Sequence, residues 1–212
     1  MRLSFRPFLL SLIAIAMTMA ISVPAQAAIT YSGAQNISVS NTFPGIYIDF
    51  NNPLDSTSYT TSGTEPANWD INPFFGGSAV GNSDDFLVST DDGSINSTLM
   101  NLTTSDIVGD GSGLGEIFVA ASSGSTDHMG GGPNQFANGV QGYIGFRIDD
   151  GASGFYYGWM RVTLNDDGSS GTIHDWAWDT SGAAIQVGQI PEPSAFLLGG
   201  LASLLLLRRR RN

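Results

Sequence analysis

Apolar and polar residues alternate in short runs along this chain, and no long apolar stripe of helical period runs through its middle. In GIYIDF, Ile46, Ile48 and Phe50 point one way and Tyr47 and Asp49 the other, the pattern of a half-buried strand. DDFLVS at 84–89 and GEIFVAAS at 115–122 predict two more short strands. The clearest passage runs from Tyr143 to Gly188. There Ile144, Phe146 and Ile148 share one strand face, while Tyr156, Met160, Val162 and Leu164 share a face of the next, with Gly158 between them. Tyr157, Trp159 and Arg161 occupy the opposite face, where Arg161 can lie along an indole. TIHDWAWD predicts a third strand with His174, Trp176 and Trp178 on one side, and Ile185 and Val187 predict a short closing strand. Asp- and Gly-rich turns separate these runs, since both residues tolerate the positive φ of tight hairpins. The expectation is all-β: a single antiparallel β-sandwich, jelly-roll-like, with this meander as one sheet edge.

Both ends depart from the alternation. Residues 1–27 combine Arg2 and Arg6, an apolar stretch from Phe8 to Val23 and a small-x-small site at Ala25-Gln26-Ala27. That is the layout of a secretory signal peptide cleaved after Ala27, so Sec-type export machinery is the expected first partner. At the other end, Pro191-Glu192-Pro193 precedes a mostly apolar run from Ser194 to Leu207 and then Arg208, Arg209, Arg210 and Arg211. Fourteen helical residues reach about 21 Å, against a hydrocarbon core of about 30 Å. The arginines are expected to remain cytoplasmic as a stop while the body goes outward. Each proline keeps the residue before it extended, which makes a stiff peptide just outside a minimal anchor. The chain thus divides into a signal helix at 1–27, a β-sandwich domain at 28–189 and a tail with a short hydrophobic helix at 190–212.

Setting the two ends aside changes the charge. The body keeps Arg147 and Arg161 against eighteen carboxylates, a net charge of −16, and it has no lysine. Such a surface offers almost nothing to displace counterions from phosphate, which excludes nucleic acid and leaves the C-terminal helix of the precursor as the membrane contact. There is no cysteine, so an exported fold of this size must rest on packing instead of disulfides.

Few groups suggest chemistry. No G-x-S-x-G elbow or Cys nucleophile is present, and His128 and His174 form no H-x-x-x-H pair, so no catalytic residues are assigned. GDGSGLGE at 109–116 runs into a strand-like segment and lacks the helix N-terminus a phosphate needs. Glu116 is the best acid for a glycan hydrolase, a third reading behind two others. Oxygen-rich turns at Asp91–Ser94 with Asn96, at Asp110 with Glu116, and at Asn165–Asp167 suit a structural calcium, although no one metal site is nominated and no other cofactor is implied. Asn36, Asn96 and Asn101 head glycosylation triplets. Trp159, Trp176 and Trp178 are the aromatics that stack on sugars if they are exposed.

Pro191-Glu192-Pro193, the run Ser194–Leu207 and Arg208–Arg211 together resemble the PEP-CTERM sorting signal of exported proteins of Gram-negative bacteria. The stretch from Tyr156 to Gln189 also resembles passages found ahead of that signal. The resemblance implies an exosortase, an integral-membrane transpeptidase-like enzyme, as partner. It implies a precursor anchored in the inner membrane and cut near the triplet. The mature form then resides at the cell surface or outside the cell, often alongside exopolysaccharide. The expected protein is non-enzymatic; the alternative is a carbohydrate- or calcium-binding β-sandwich module.

Overall fold

The alternating runs become strands wherever a second layer covers their apolar side. The computed structural model describes residues 29–39, 45–50, 60–62, 64–65, 67, 69–75, 78–82, 86–87, 98–118, 123–125, 136–150, 152, 154–165 and 170–191. In chain order their strands are β1 (Ile29–Tyr31), β2 (Ile37–Val39), β3 (Tyr47–Asp49), β4 (Thr60–Ser62), β5 (Ile71–Phe75), β6 (Ser78–Gly81) and β7 (Phe86–Leu87). β8 (Ile107–Gly109), β9 (Glu116–Phe118), β10 (Ser123–Ser125), β11 (Gln141–Asp149), β12 (Phe155–Asn165), β13 (Ser170–Asp179) and β14 (Ile185–Gln186) follow. These residues form no helix, and the fold is all-β. The expected signal helix, the C-terminal hydrophobic helix and the turns at 91–97 and 166–169 lie outside the described residues.

Two antiparallel sheets face each other as a sandwich. One has the order β1-β13-β12-β11-β7, with β2 also on β13, and the other the order β10-β6-β5-β3-β4. Ile144, Phe146, Ile148, Met160, Val162, Leu164, Ile173, Trp176 and Trp178 of the first meet Ile48, Ile71, Phe74 and Ala79 of the second. Phe50 is the hub of this core, stacked on Phe146 at 5.2 Å and within 5.1 Å of the Trp178 ring and 5.9 Å of the Trp176 ring. Such offset and tilted ring pairs contribute beyond their buried area.

The meander β11-β12-β13 lies at the centre of its sheet, where the sequence suggested an edge. The reason is a third layer. β14, β8 and β9 form a small sheet whose Val108, Ile117 and Ile185, together with Leu102 and Val187, cover Tyr157, Trp159 and Ala177 on the other face. β12 is therefore apolar on both faces because both are covered. The closing strand foreseen at Ile185–Val187 leaves the meander and pairs with β8, Ile185 opposite Val108. β8 and β9 run parallel, joined by only six residues; Gly111 and Gly115, each at φ +79, let the chain double back so tightly.

The third strand differs from its expected phase. Arg161 pairs with Asp175 but Val162 pairs with Ile173, so His174 is an extra residue on β13. A bulge of this kind shifts the alternation by one. Ile173, Trp176 and Trp178 enter the sandwich core, while His174 turns to the opposite side. There its Nε2 lies 2.8 Å from the Thr163 hydroxyl and its Nδ1 3.2 Å from the Asn36 amide oxygen. The edge of β13 is occupied by β1 and β2, and the chain between them bonds the bulge: Gln35 and Asn36 donate to the His174 carbonyl at 2.7 and 3.2 Å.

Candidate functional site

The apolar and amide groups at the end of the small sheet hold the root of the C-terminal tail. Trp159 reaches that point from β12, buried between Tyr143, edge-on at 5.7 Å, and Tyr31, tilted at 6.4 Å. Its indole N–H donates to the Gln189 carbonyl at 3.1 Å. The Gln189 N–H donates to the Gln186 carbonyl at 3.0 Å, and the Gln186 N–H to the Gln189 side-chain oxygen at 3.3 Å. Gly188, at φ +80, makes the turn possible. Val187 is buried, and its N–H donates to the Asp106 carbonyl at 3.0 Å. The Gln186 side-chain amide donates to the Thr104 carbonyl at 2.8 Å. The Thr103–Asp106 turn is itself fastened by the Asp106 carboxylate, which accepts from the Thr103 N–H at 2.6 Å and from its hydroxyl at 2.9 Å. One residue beyond Gln189, Ile190 is 45% exposed, and Pro191 is exposed too.

Among the described residues the anchored turn thus reaches Gln189, two residues ahead of Pro191. This defines a class, an all-β body whose sequence continues into Pro191-Glu192-Pro193, an apolar run and an arginine cluster. The family profile of the PEP-CTERM protein-sorting motif matches residues 189–211. No curated protein and no solved structure matches the chain. The motif marks an exported protein, sorted by exosortase, whose precursor is anchored in the membrane at its C-terminal end. Among the described residues no helix is long and apolar enough to cross a membrane. Of the sorting residues, Pro191 is described, whereas Glu192, Pro193 and Arg208 to Arg211 lie outside the described residues, as do Ala25 and Ala27 of the signal site.

The three tryptophans do not form a sugar platform. Trp176 and Trp178 fill the sandwich core and Trp159 the second core, at 0%, 2% and 2% exposure, so no indole face is open to a ligand. Covering both faces of the central sheet is what buries them. Asn101 of one glycosylation triplet accepts the Tyr143 N–H at 3.0 Å, while Asn36 of another is exposed.

A cleft of about 380 Å³ opens where Asp110, Asp150, Phe155, Tyr156, Tyr157 and Ser181 converge. Hydrogen bonds from Ser112 hold the Asp110 carboxyl below its ordinary pKa, and the Gly154 and Ala152 N–H groups do the same for Asp150. Burial, then the nearby Asp110 charge, raises the Tyr157 hydroxyl. Of the calcium candidates, Asp110 is tied to the Ser112 N–H at 2.8 Å, and Asp91, Asp92, Asn96, Asp166 and Asp167 lie outside the described residues. Among the described residues no three His, Asp or Glu side chains gather where they would hold a metal.

On the same face as Trp159, Arg161 and Asp175 make a bidentate ion pair, and Tyr31 adds its hydroxyl to Asp175 at 2.8 Å. Sequence reasoning missed this pair, since only the strand register brings the two residues opposite one another. It also missed the bond from Trp159 to Gln189; a Trp at strand period ahead of the motif is a signal, but the sequence offers it only as a candidate sugar-stacking aromatic.

Proposed function

We propose that the sorted protein is a non-enzymatic component of the cell surface or extracellular matrix, associated with exopolysaccharide. The Sec-type machinery exports it, the C-terminal helix holds the precursor in the inner membrane, and exosortase cutting near Pro191–Pro193 frees the body. The observation that carries this reading is the matched motif at 189–211, whose first residue, Gln189, is bonded to Trp159 of the body. A body with net charge −16 and no lysine supports it, being suited to stay soluble among anionic polymers and away from anionic lipid. Intact mass spectrometry of the extracellular form is the test. The expected mass begins at Ala28 and lacks Leu201–Asn212; a mature form that keeps those residues would overturn the reading.

A second reading is a carbohydrate- or calcium-binding module, of which the cleft supports the carbohydrate form. Its two carboxylates, Asp110 and Asp150, offer acceptors of the type sugar hydroxyls use. Glycan-array binding of the mature protein, with and without chelator, separates it from the first.

A further inference from the structure

The distance between the body and the triplet limits how an enzyme can hold this tail. Among the described residues Gln189 is the last with a hydrogen bond to the body, and Pro191 is two residues further on. Two extended residues span about 7 Å. A single helix with its side chains is about 10–12 Å across. A wall of the enzyme's cleft one helix thick therefore cannot grip Pro191 without reaching the surface from which the tail emerges. Either that surface is part of what the enzyme contacts, or the root must first come loose.

The root is built to stay in place. Releasing Gln189 breaks the Trp159 bond and the reciprocal bonds with Gln186, and the turn is backed by buried Val187 and its bond to Asp106. Trp159 cannot follow a departing tail, because Tyr143 and Tyr31 flank it. The surrounding rim consists of short or uncharged side chains with Asp106 as its one carboxylate. Thr103, Thr104, Ser105, Gln186 and Gln189 are exposed, and the Asp106 carboxylate is already engaged by Thr103. On a body of charge −16 a rim with a single carboxylate is weakly charged and can approach an enzyme set among anionic headgroups.

We infer that the rim formed by the Thr103–Asp106 and Gln186–Gln189 turns is a docking surface for the exosortase, with Trp159 as the positioning residue that holds the sorting peptide against it. The inference rests on the sorting reading above. The rigid root fixes the direction in which Pro191 leaves the body, so the enzyme meets body and peptide as one preorganised ligand.

The test uses the full chain in a cell that carries the enzyme, with precursor and product followed by pulse-chase. The variants are a six-residue Gly/Ser spacer between Gln189 and Ile190, Ser105→Arg on the rim, and Trp159→Phe with and without the spacer. The spacer and Ser105→Arg are each expected to slow processing at least roughly fivefold, the effect of losing one ordinary interface contact. Thermal unfolding of the purified body reports whether Ser105→Arg leaves the fold intact. Trp159→Phe is expected to slow processing in the native tail and to add nothing once the spacer is present. A purely structural defect would persist with the spacer. Processing that is unchanged or faster with the spacer overturns the inference while leaving the sorting reading intact. If the unaltered chain keeps its tail, and replacing Pro191 and Pro193 by Ala changes nothing, both readings fall.

Discussion

Arg161 holds Asp175 across β12 and β13 with two donors, Nε to Oδ1 at 2.8 Å and a terminal nitrogen to Oδ2, at the point where the bulge interrupts their register. Burial opposes the guanidinium charge, but the Asp175 hydrogen bond and charge outweigh it, and the Arg161 pKa lies above its ordinary value. Asp175 is 3% exposed and Arg161 33%. Replacing Arg161 by Met would strand a buried carboxylate and should cost about 2 kcal/mol, less than the ~3–5 of a fully buried pair. Arg161→Met with Asp175→Leu should recover most of that loss. Urea unfolding of the two variants against the parent checks it.

His174 makes stability depend on pH. Burial, then the Arg161 charge, lowers its pKa from the ordinary value. The folded state therefore prefers the neutral ring. Its contribution is complete above the unfolded pKa of about 6.5 and falls away as pH drops below that. The unfolding midpoint should decline from pH 7.5 to 5.5, and His174→Gln should flatten the decline. The lowered carboxyls of Asp110 and Asp150 act only in a more acid window, below about pH 4.

Gly158 pairs with Phe146 and Trp178 in the middle of the central sheet. A methyl group there would meet the Phe146 ring and stand 2.7 Å from the Ala177 carbonyl oxygen. Gly158→Ala should therefore lower stability by about 1–3 kcal/mol, as overpacked cores do. Thermal unfolding measures it, and near-UV dichroism should report the disturbed ring cluster around Phe50.

The body's C-terminal limit can be tested by truncation. A chain ending at Gln189 keeps β14, Val187 and the Trp159 bond, and its melting temperature should match that of the longer mature form. A chain ending at Ala184 loses Ile185 and Val187 from the second core and uncovers Trp159. Its fluorescence should shift to the red and its melting temperature drop.

The long strands were legible because period-2 alternation over nine to eleven residues leaves little freedom, as in β11 and β12. The sorting signal was legible for a different reason: Pro191-Glu192-Pro193, an apolar run and four arginines act as a linear peptide. The short strands were less clear, β8 with β9 above all, because three residues carry too little pattern to show a partner or a direction.

By itself the sequence determined the all-β class, the faces of β11 and β12, the acidic surface and the sorting address, all of which follow from local order along the chain. The tertiary structure alone decided that the central sheet is covered on both sides, and so that Trp159, Trp176 and Trp178 are core. It also decided that His174 turns away from them, that Arg161 meets Asp175, and that Trp159 fastens Gln189. Each of these depends on register or on a bulge, where a shift of one residue exchanges the two faces of a strand, and no single segment encodes that shift.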